Sequence, residues 1–267
     1  MKTDVPPTVT SPDHQISSAT SGLPAVILFD VNETLSDMSP MAQRFVDVGA
    51  PAHLATTWFA ALLRDGFALT AAGSTAPFAQ LGAGVLRVSL GNLGNLGNHT
   101  LNRTIDEAIE HIMGGFGQLS VYEDVKDGIP ALAGLDTRLF TLSNGAVSVA
   151  QRLLERAGIG EHFERLLSVE DAGVWKPAPG AYAYAAQQCG VEPVEMMLVA
   201  VHPWDIDGAH RAGLATAWIN RTGATYPDYF SAPTLEATSV HHLAQLLSSW
   251  TATTIASTTT SGDGEPR

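Results

Sequence analysis

The sequence predicts an α/β protein with a Rossmann-like parallel sheet core and an inserted helical cap. Short apolar runs of strand length alternate with amphipathic stretches of helix length, which is the pattern of βαβ units in a parallel sheet. One long segment after the first apolar run breaks this alternation, because it is helical in pattern and contains no convincing strand. The alternation resumes afterwards, so we interpret that segment as an insertion.

Four apolar runs mark the predicted strands, and polar residues follow each of them. Helix-like stretches such as AVSVAQRLLERAG (146–158) separate the runs. Ligands gather at the carboxyl ends of the strands of a parallel sheet, so we expect these polar residues to meet at one rim. The four runs are AVILFD (25–30), RLFTLSNG (138–145), MMLVAVHPWD (196–205) and LATAWIN (214–220).

The composition shift along the chain predicts the domain organisation. We expect a core from 23–38 and 118–247, a helical cap at 39–117, and disordered tails at 1–22 and 248–267. Both tails are rich in small polar residues with few large apolar groups. The cap contains the helix-like stretches HLATTWFAALLRDGFALTAA and TIDEAIEHIMGGF, and its GNLGNLGN repeat (91–98) is typical of an exposed loop.

Charge and cysteine content narrow the class of protein. Fourteen Lys and Arg against 27 Asp and Glu give a formal net charge of −13, whereas nucleic-acid and anionic-membrane surfaces need basic patches. The single cysteine, Cys189, excludes an internal disulfide and a cysteine-based zinc site. No run approaches the roughly 20 apolar residues of a membrane span, and no signal-peptide pattern is present. We expect a cytoplasmic protein with a small-molecule substrate and no nucleic-acid or membrane partner.

Four motifs carry candidate chemistry. Asp30 lies in FDVNETL with Thr34 four residues later; a carboxylate at a strand end can act as a nucleophile, although Asp is also common in turns. The motifs LSNG (142–145), WKP (175–177) and HPWD (202–205) follow in that order, each beside a predicted strand end. Together they favour a catalytic rim over turn structure alone.

With these motifs the chain resembles the haloacid dehalogenase (HAD) superfamily and, within it, the type II branch of L-2-haloacid dehalogenase-like proteins. Members of that branch carry an Asp nucleophile, LSNG, a YKP lysine and a WD near the fourth strand. Tyr182, six residues after Lys176, and AWINRTG (217–223) are further matches. The resemblance covers about residues 24–245 and implies a homodimer.

Two departures from the phosphatases of this superfamily argue against a metal. Phosphatases carry a second Asp two residues after the nucleophile, where this chain has Asn32, which cannot act as a general acid. They also hold Mg²⁺ with a carboxylate near the start of the fourth motif, where this chain has none before Asp205. Since Mg²⁺ needs hard oxygen ligands, we expect no metal, no other cofactor and no phosphoryl transfer.

The remaining residues fit displacement at carbon. Asp30 would attack the substrate and form an aspartyl ester. The positive charge of Lys176 would keep Asp30 ionised. We place Thr34 in the same group of catalytic residues. Asp205 would activate the water that hydrolyses the ester, with His202 as a second candidate base. We expect the substrate to be bound by eight residues: Asn32, Trp58, Phe59, Ser143, Asn144, Tyr182, His202 and Trp204.

The sequence also differs from the family's dehalogenases at three positions. Family dehalogenases place an Arg after a cap Trp to receive the halide, whereas here Phe59 follows Trp58. Arg64 lies about 140° further around the helix and does not replace it. The family's Ser and Asn in the fourth motif correspond to Ala200 and His202. Trp58 and Phe59 therefore either line an apolar pocket or belong to the cap core.

Three functions remain open. The leading one converts an (S)-2-haloacid and water into a 2-hydroxyacid and halide. The second keeps the Asp30 chemistry but opens another carbon–heteroatom bond, such as the ring C–N bond of a cyclic amino acid; the missing cap Arg favours it. The third is a catalytically silent binding protein on the same fold, against which the joint presence of the motif residues argues.

Overall fold

The computed structural model describes residues 22–93 and 100–259 and contains one six-stranded, all-parallel sheet. The strand order is β3-β2-β1-β4-β5-β6, which confirms the predicted α/β class. The strands are β1 Val26–Phe29, β2 Arg138–Ser143, β3 Phe163–Ser168, β4 Met196–Ala200, β5 Ala215–Ile219 and β6 Leu235–Ala237.

Among the described residues, five α-helices lie between β1 and β2, and we call the first four, α1–α4, the helical insertion. They are α1 Met41–Asp47, α2 Leu54–Ala71, α3 Phe78–Leu93 and α4 Ile105–Gly114, followed by a 3-10 turn, Gly115–Gln118. Within 39–93 and 100–117 the chain forms no strand, as the sequence pattern predicts. The first three residues of the GNLGNLGN repeat belong to α3, and 94–99 lie outside the described residues.

The remaining helices connect the strands or follow the sheet. They are α5 Glu123–Ala133, α6 Val147–Ala157, α7 Val169–Ala172, α8 Pro179–Cys189, α9 Pro203–Arg211 and α10 Val240–Thr259. Helix α10 continues past Ser248, where the composition indicates a tail, to Thr259. Residues 1–21 and 260–267 lie outside the described part of the chain. No helix in the described ranges is both long and apolar enough to cross a bilayer.

Strand β1 sits at the centre of the sheet because its side chains are apolar on both faces. All four of its residues are buried, as expected for a strand covered on both sides by other elements. Phe29 pairs with Thr141 of β2 on one side and Val199 of β4 on the other. The next residue, Asp30, donates its backbone N–H to Val199 at 3.0 Å. The candidate nucleophile therefore lies between two neighbouring strands at their carboxyl ends.

Strands β3 and β6 are absent from the four apolar runs that mark the predicted strands. They are the two outer strands of the sheet, and both have exposed positions. Strand β3 carries the exposed Glu164 and Arg165, and β6 has only three residues. Edge strands do not need a continuous apolar sequence, so the hydrophobic pattern does not reveal them.

Candidate active site

Asp30 is buried directly after β1, and its two carboxylate oxygens have different hydrogen-bond donors. Oδ1 accepts from Lys176 Nζ at 2.8 Å, and Oδ2 accepts from Thr34 Oγ1 at 2.7 Å. Thr34 Oγ1 itself accepts from the backbone N–H of Val201 at 3.1 Å, just after β4. That contact leaves the Thr34 hydroxyl proton for Asp30, so the threonine acts as an oriented donor.

Lys176 lies between two carboxylates, with no exposed surface on its side chain. Besides Asp30, its Nζ donates to Asp205 Oδ2 at 2.5 Å. The other oxygen of Asp205 accepts from the Tyr182 hydroxyl at 2.6 Å. Asp30, Thr34, Lys176 and Asp205 thus meet as the motifs predict. Tyr182, expected to bind substrate, uses its hydroxyl to position Asp205 and is itself fully buried.

The ionisation of the two carboxyl groups differs because their surroundings differ. Burial raises the pKa of Asp30, but the charges of Lys176 and His202 and the hydrogen bonds from Lys176 and Thr34 outweigh it, so this pKa lies below the usual range. Burial also raises the pKa of Asp205, where Lys176 lowers it and Asp30 raises it, and the net shift is upward. Asp30 is therefore the better anion and Asp205 the better proton acceptor.

The Lys176 pKa is raised despite its burial. Burial lowers the pKa of this ammonium group, but the charges of Asp205 and Asp30 and their hydrogen bonds raise it further. The lysine therefore remains a cation between the two acids. In the described part of the chain, no group of three or more His, Cys, Asp or Glu is placed to hold a metal ion.

Asn144 holds the backbone of Lys176 through both ends of its amide group. Its Oδ1 accepts from the Lys176 N–H at 3.0 Å, and its Nδ2 donates to the Lys176 carbonyl at 3.4 Å. This amide therefore positions the lysine, a role that the sequence pattern does not reveal. Ser143 Oγ accepts from the Gly145 N–H at 2.9 Å, as in a turn, and its proton can still be donated to a ligand.

His202 lies beside Asp30, and its Nε2 faces three oxygen atoms. That nitrogen is 3.2 Å from the Asn32 carbonyl, 3.6 Å from Glu33 Oε2 and 3.8 Å from Asp30 Oδ2. The Asn32 carbonyl and the two ionised carboxylates can only accept hydrogen bonds, so Nε2 carries a proton and donates it. A nitrogen that already carries a proton cannot act as a base, so the expectation that His202 is a base does not fit Nε2. Asn32, expected to bind substrate, contributes its carbonyl to the ring.

Glu33 also lies at the candidate site, 3.6 Å from His202 Nε2, although no sequence motif points to it. Its backbone has a φ of +63°, a left-handed conformation that is uncommon outside glycine. Burial raises the pKa of its carboxyl group, His202 lowers it and Asp30 raises it, with a net upward shift. Only its place between Asp30 and Thr34 could have drawn attention to it.

Trp58 and Phe59 lie in an aromatic cluster of the helical insertion. Trp58 is 1% exposed and donates its indole N–H to the Gly82 carbonyl at 2.9 Å. Phe59 contacts Trp58 and Phe78 with ring centroids 6.5 and 6.4 Å apart. Of the two readings left open for these residues, these contacts favour the cap core. Arg64 is exposed and paired with its neighbour Asp65, so it does not stand in for a buried arginine.

Aromatic residues of the helical insertion reach the Lys176 loop at one point and the His202 ring, through Trp204, at another. Phe78 stacks on Trp175, the residue before Lys176, with centroids 6.1 Å apart and an interplanar angle of 11°. Trp204 is half-buried, stacks on His202 at 4.9 Å and contacts Phe67 of α2 at the same distance. The insertion therefore supports both Lys176 and His202 from outside the sheet.

Comparison with known proteins places this geometry in a family. The chain is 30% identical over 208 residues to (S)-2-haloacid dehalogenase 4A of Burkholderia cepacia, covering 77% of this chain and 87% of that protein. An (S)-2-haloacid dehalogenase of Pseudomonas sp. strain YL is 32% identical over 129 residues, which are 48% of this chain and only 56% of that relative, so this match spans about half its length.

A solved structure and a family model agree with these relatives. The crystal structure of the L-2-haloacid dehalogenase RSc1362 superimposes with a TM-score of 0.77 at 27% identity, covering 85% of this chain and 99% of that one. The model of the haloacid dehalogenase-like hydrolases matches residues 24–213, which include Asp30, Lys176 and Asp205. The chain belongs to the haloacid dehalogenase-like hydrolases.

Proposed function

We propose that the protein is a hydrolase that acts on 2-haloacids through an aspartyl ester on Asp30, giving a 2-hydroxyacid and halide. One observation carries this proposal: a buried Asp30 receives hydrogen bonds from Lys176 and Thr34 that favour its ionised form. A desolvated, oriented carboxylate of this kind is a nucleophile toward carbon. The similarity to proteins named (S)-2-haloacid dehalogenase supports the substrate class.

Two displacements complete the reaction. One oxygen of Asp30 attacks C2 of the substrate, and the carbon–halogen bond breaks with its electron pair leaving as halide. Water then attacks the carboxyl carbon of the ester, and Asp205 takes its proton, as the raised pKa of that carboxyl group suits. The ester bond breaks and returns a 2-hydroxyacid. Lys176 balances the charge of both aspartates throughout.

The rest of the site binds and encloses the substrate in this proposal. The hydroxyl proton of Ser143 is directed to the substrate carboxylate, with backbone N–H groups of the same loop. The helical insertion acts as a cap, and the half-buried Trp204 forms part of an apolar wall. The division of the chain into a core and a cap is likewise a proposal.

Single-turnover hydrolysis in H₂¹⁸O tests the ester mechanism. With enzyme in excess over 2-chloropropionate, we expect ¹⁸O in the Asp30 side chain after one turnover and unlabelled oxygen in the first product. The matched control is Asp30→Asn, which should incorporate no label. Label that enters the product directly, with none in Asp30, contradicts the proposal.

A second candidate function is opening of a strained C–N bond in a cyclic amino acid, with the same nucleophile. Two observations favour it: Phe59 lies in an aromatic cluster where a halide-binding arginine would be expected, and the Glu33 carboxylate lies 3.6 Å from His202 Nε2, which is itself 3.8 Å from Asp30 Oδ2. Chloride release from 2-chloropropionate separates the two functions. Release at catalytic rates supports the haloacid, whereas no release together with an Asp30 adduct from a cyclic amino acid supports the C–N bond. A silent binding protein gives no adduct with either.

We also propose that the protein is a cytoplasmic homodimer that needs no metal ion. The family resemblance supports the dimer, and the single cysteine and acidic composition suit the cytoplasm. Light scattering after gel filtration tests the dimer. The same chloride assay with EDTA or with added Mg²⁺ tests the metal: unchanged rates are expected, and a loss in EDTA that Mg²⁺ restores contradicts this part of the proposal.

A further inference from the structure

We propose that His202 is a further catalytic residue, donating a hydrogen bond from Nε2 to the oxygen of Asp30 that becomes negative when water attacks the ester. In the same proposal Glu33 is a positioning residue that holds the His202 ring. This inference rests on the proposed function, because the ester is the product of the first displacement. It makes His202 a hydrogen-bond donor rather than a base, and it gives Glu33 a role beyond its place in the turn.

The donor role follows from what surrounds the ring nitrogen. Nε2 faces the Asn32 carbonyl at 3.2 Å and carboxylate oxygens of Glu33 and Asp30 at 3.6 and 3.8 Å. A lone pair on that nitrogen would face three oxygens, so the proton must lie there. The ring therefore brings positive character to the nucleophile. The Lys176 ammonium lies 2.8 Å from Asp30 Oδ1, and the His202 ring nitrogen lies 3.8 Å from Asp30 Oδ2.

The two Asp30 oxygens indicate which one becomes negative. Oδ1 is bonded to Lys176, whereas Oδ2 accepts from Thr34 and also faces His202. Two donors at one oxygen suit the developing oxyanion, and a bridging ester oxygen is the poorer acceptor. We therefore assign the new carbon–oxygen bond to Oδ1 and the carbonyl of the ester to Oδ2. As charge builds on Oδ2, the Nε2–H turns to it from the Asn32 carbonyl.

The step balances without any further reactant. The water oxygen bonds to the carboxyl carbon, the carbonyl electron pair moves to Oδ2, and a water proton passes to Asp205. The pair on Oδ2 then reforms the carbonyl as the carbon–Oδ1 bond to the product breaks, and Asp205 returns its proton to the departing alkoxide. Asp30 releases one proton to solvent. His202 keeps its own proton and changes only the acceptor.

The ring is held in place from two sides. Trp204 stacks on it with an interplanar angle of 19°, and Phe67 supports Trp204. Glu33 reaches the ring from a left-handed backbone position that glycine would adopt more readily. The glutamate side chain is therefore not what the turn requires, and its carboxylate is the part that contacts the site. Its raised pKa agrees with a group partly withdrawn from solvent beside the anion of Asp30.

Rapid-quench kinetics with 2-chloropropionate separate ester formation from ester breakdown in four variants. His202→Phe keeps a ring to stack on Trp204 but removes the donor, and Glu33→Gln removes the charge at similar size. Glu33→Gly removes the side chain and suits the backbone, while Glu110→Gln, exposed on α4, is the matched control.

We expect His202→Phe to slow ester breakdown about a hundredfold, as for loss of one oxyanion donor. Glu33→Gln and Glu33→Gly should each slow it about tenfold, because the donor remains but its orientation is lost. Ester formation should change by less than about threefold, so that chloride appears in a burst and the Asp30 peptide accumulates an adduct. The control should match the wild type. In ¹⁵N spectra of the resting enzyme, Nε2 of His202 should be protonated.

The outcomes distinguish this inference from the proposed function. Normal ester breakdown in Glu33→Gly shows that Glu33 acts only in the turn and overturns its positioning role. Normal breakdown in His202→Phe, or an unprotonated Nε2, overturns the donor role while the ester mechanism stands. If the wild type forms no ester on Asp30, the proposed function fails, and the role of His202 in water attack fails with it.

Discussion

At the scale of single residues, one lysine lies between two carboxyl groups that have opposite pKa shifts. Asp30 accepts from Thr34 as well as Lys176 and faces His202, whereas Asp205 has Tyr182 as its other donor. The unequal surroundings give two side chains of the same chemistry opposite pKa shifts, which suits the proposed roles of nucleophile and proton acceptor.

Asp30→Asn should abolish turnover while preserving the fold. The amide has nearly the same shape but is a far poorer nucleophile than a carboxylate. We expect less than about one per cent of wild-type chloride release and an unchanged circular dichroism spectrum. Mass spectrometry must show that the variant has not deamidated. Substantial turnover by the intact amide would exclude Asp30 as the nucleophile.

Lys176→Met should destabilise the protein more at neutral pH than in acid. The lowered pKa of Asp30 contributes stability that is present above its unfolded value and is lost as pH falls through the folded value. Without the cation, both buried aspartates must ionise unpaired or take up protons. We expect a loss of about 3–5 kcal/mol in the free energy of unfolding near pH 7.5, and a smaller loss near pH 4.5.

Urea unfolding of both proteins at the two pH values measures this difference. Lys126→Met, which removes a half-exposed lysine paired with Glu123, serves as the control and should show little pH dependence. A loss for Lys176→Met that is equal at both pH values would contradict the coupling between the lysine and the two carboxyl groups.

The sequence predicts which residues belong to the candidate site better than it predicts which of them contact one another. Asp30, Thr34, Lys176 and Asp205 each belong to a motif, and the structure brings them together. The pairing of Asn144 with the Lys176 backbone depends on how two loops meet after folding. The His202–Glu33 contact depends on a left-handed turn. Local sequence does not encode such distances, so neither could be inferred from spacing.

At the scale of elements, the predictable strands are the ones buried on both faces. Strands β1 and β4 are buried along their whole length and read as continuous apolar runs. The edge strands β3 and β6 have exposed positions and carry no such signal. Helix α2 follows its predicted stretch closely, from Leu54 to Ala71. What its sequence does not show is that Gly66 lets it approach the catalytic loop.

Gly66→Ala should lower activity by displacing Trp175. A Cβ added at Gly66 would lie 2.5 Å from the indole ring, so the ring or the helix must move, and Lys176 follows Trp175 directly. We expect kcat to fall about tenfold, since small misplacements of catalytic groups are costly. The matched control is Gly84→Ala on α3, where an added Cβ meets nothing within 4 Å and alanine favours the helix. Equal kcat in both variants would contradict this role of α2.

At the scale of the whole molecule, Arg221 joins parts of the fold that are distant in sequence. Its guanidinium donates to Asp124 of α5 and to the Thr34 carbonyl, both at 2.8 Å, and lies 4.3 Å from the Tyr122 ring centroid. Asp124 also accepts from the Val240 N–H at the start of α10. Arg221 thus connects the end of the sheet with α5 and with the loop that carries Thr34, and its partner Asp124 extends this contact to α10.

Arg221→Met should therefore reduce both stability and turnover. We expect the free energy of unfolding to fall by about 2 kcal/mol, from the lost hydrogen bonds of a charged group. The rate should fall as well, because the loop that carries Thr34 loses its support. Thermal unfolding and the chloride assay measure the two effects. Arg87→Met, which removes an exposed arginine paired with Asp106, is the control expected to change neither. A full rate in Arg221→Met would show that the loop holds its shape alone.

The position of Trp175 has an optical consequence. Its indole N–H donates to the Ala76 carbonyl, its ring stacks on Phe78, and its backbone N–H donates to Thr70, all three contacts coming from the helical insertion. The indole is 1% exposed. Any separation of the insertion from the sheet would expose this ring to water and shift its fluorescence emission to the red. Because Lys176 is the next residue, the emission of Trp175 would report on such a separation within one peptide bond of the lysine that pairs with Asp30.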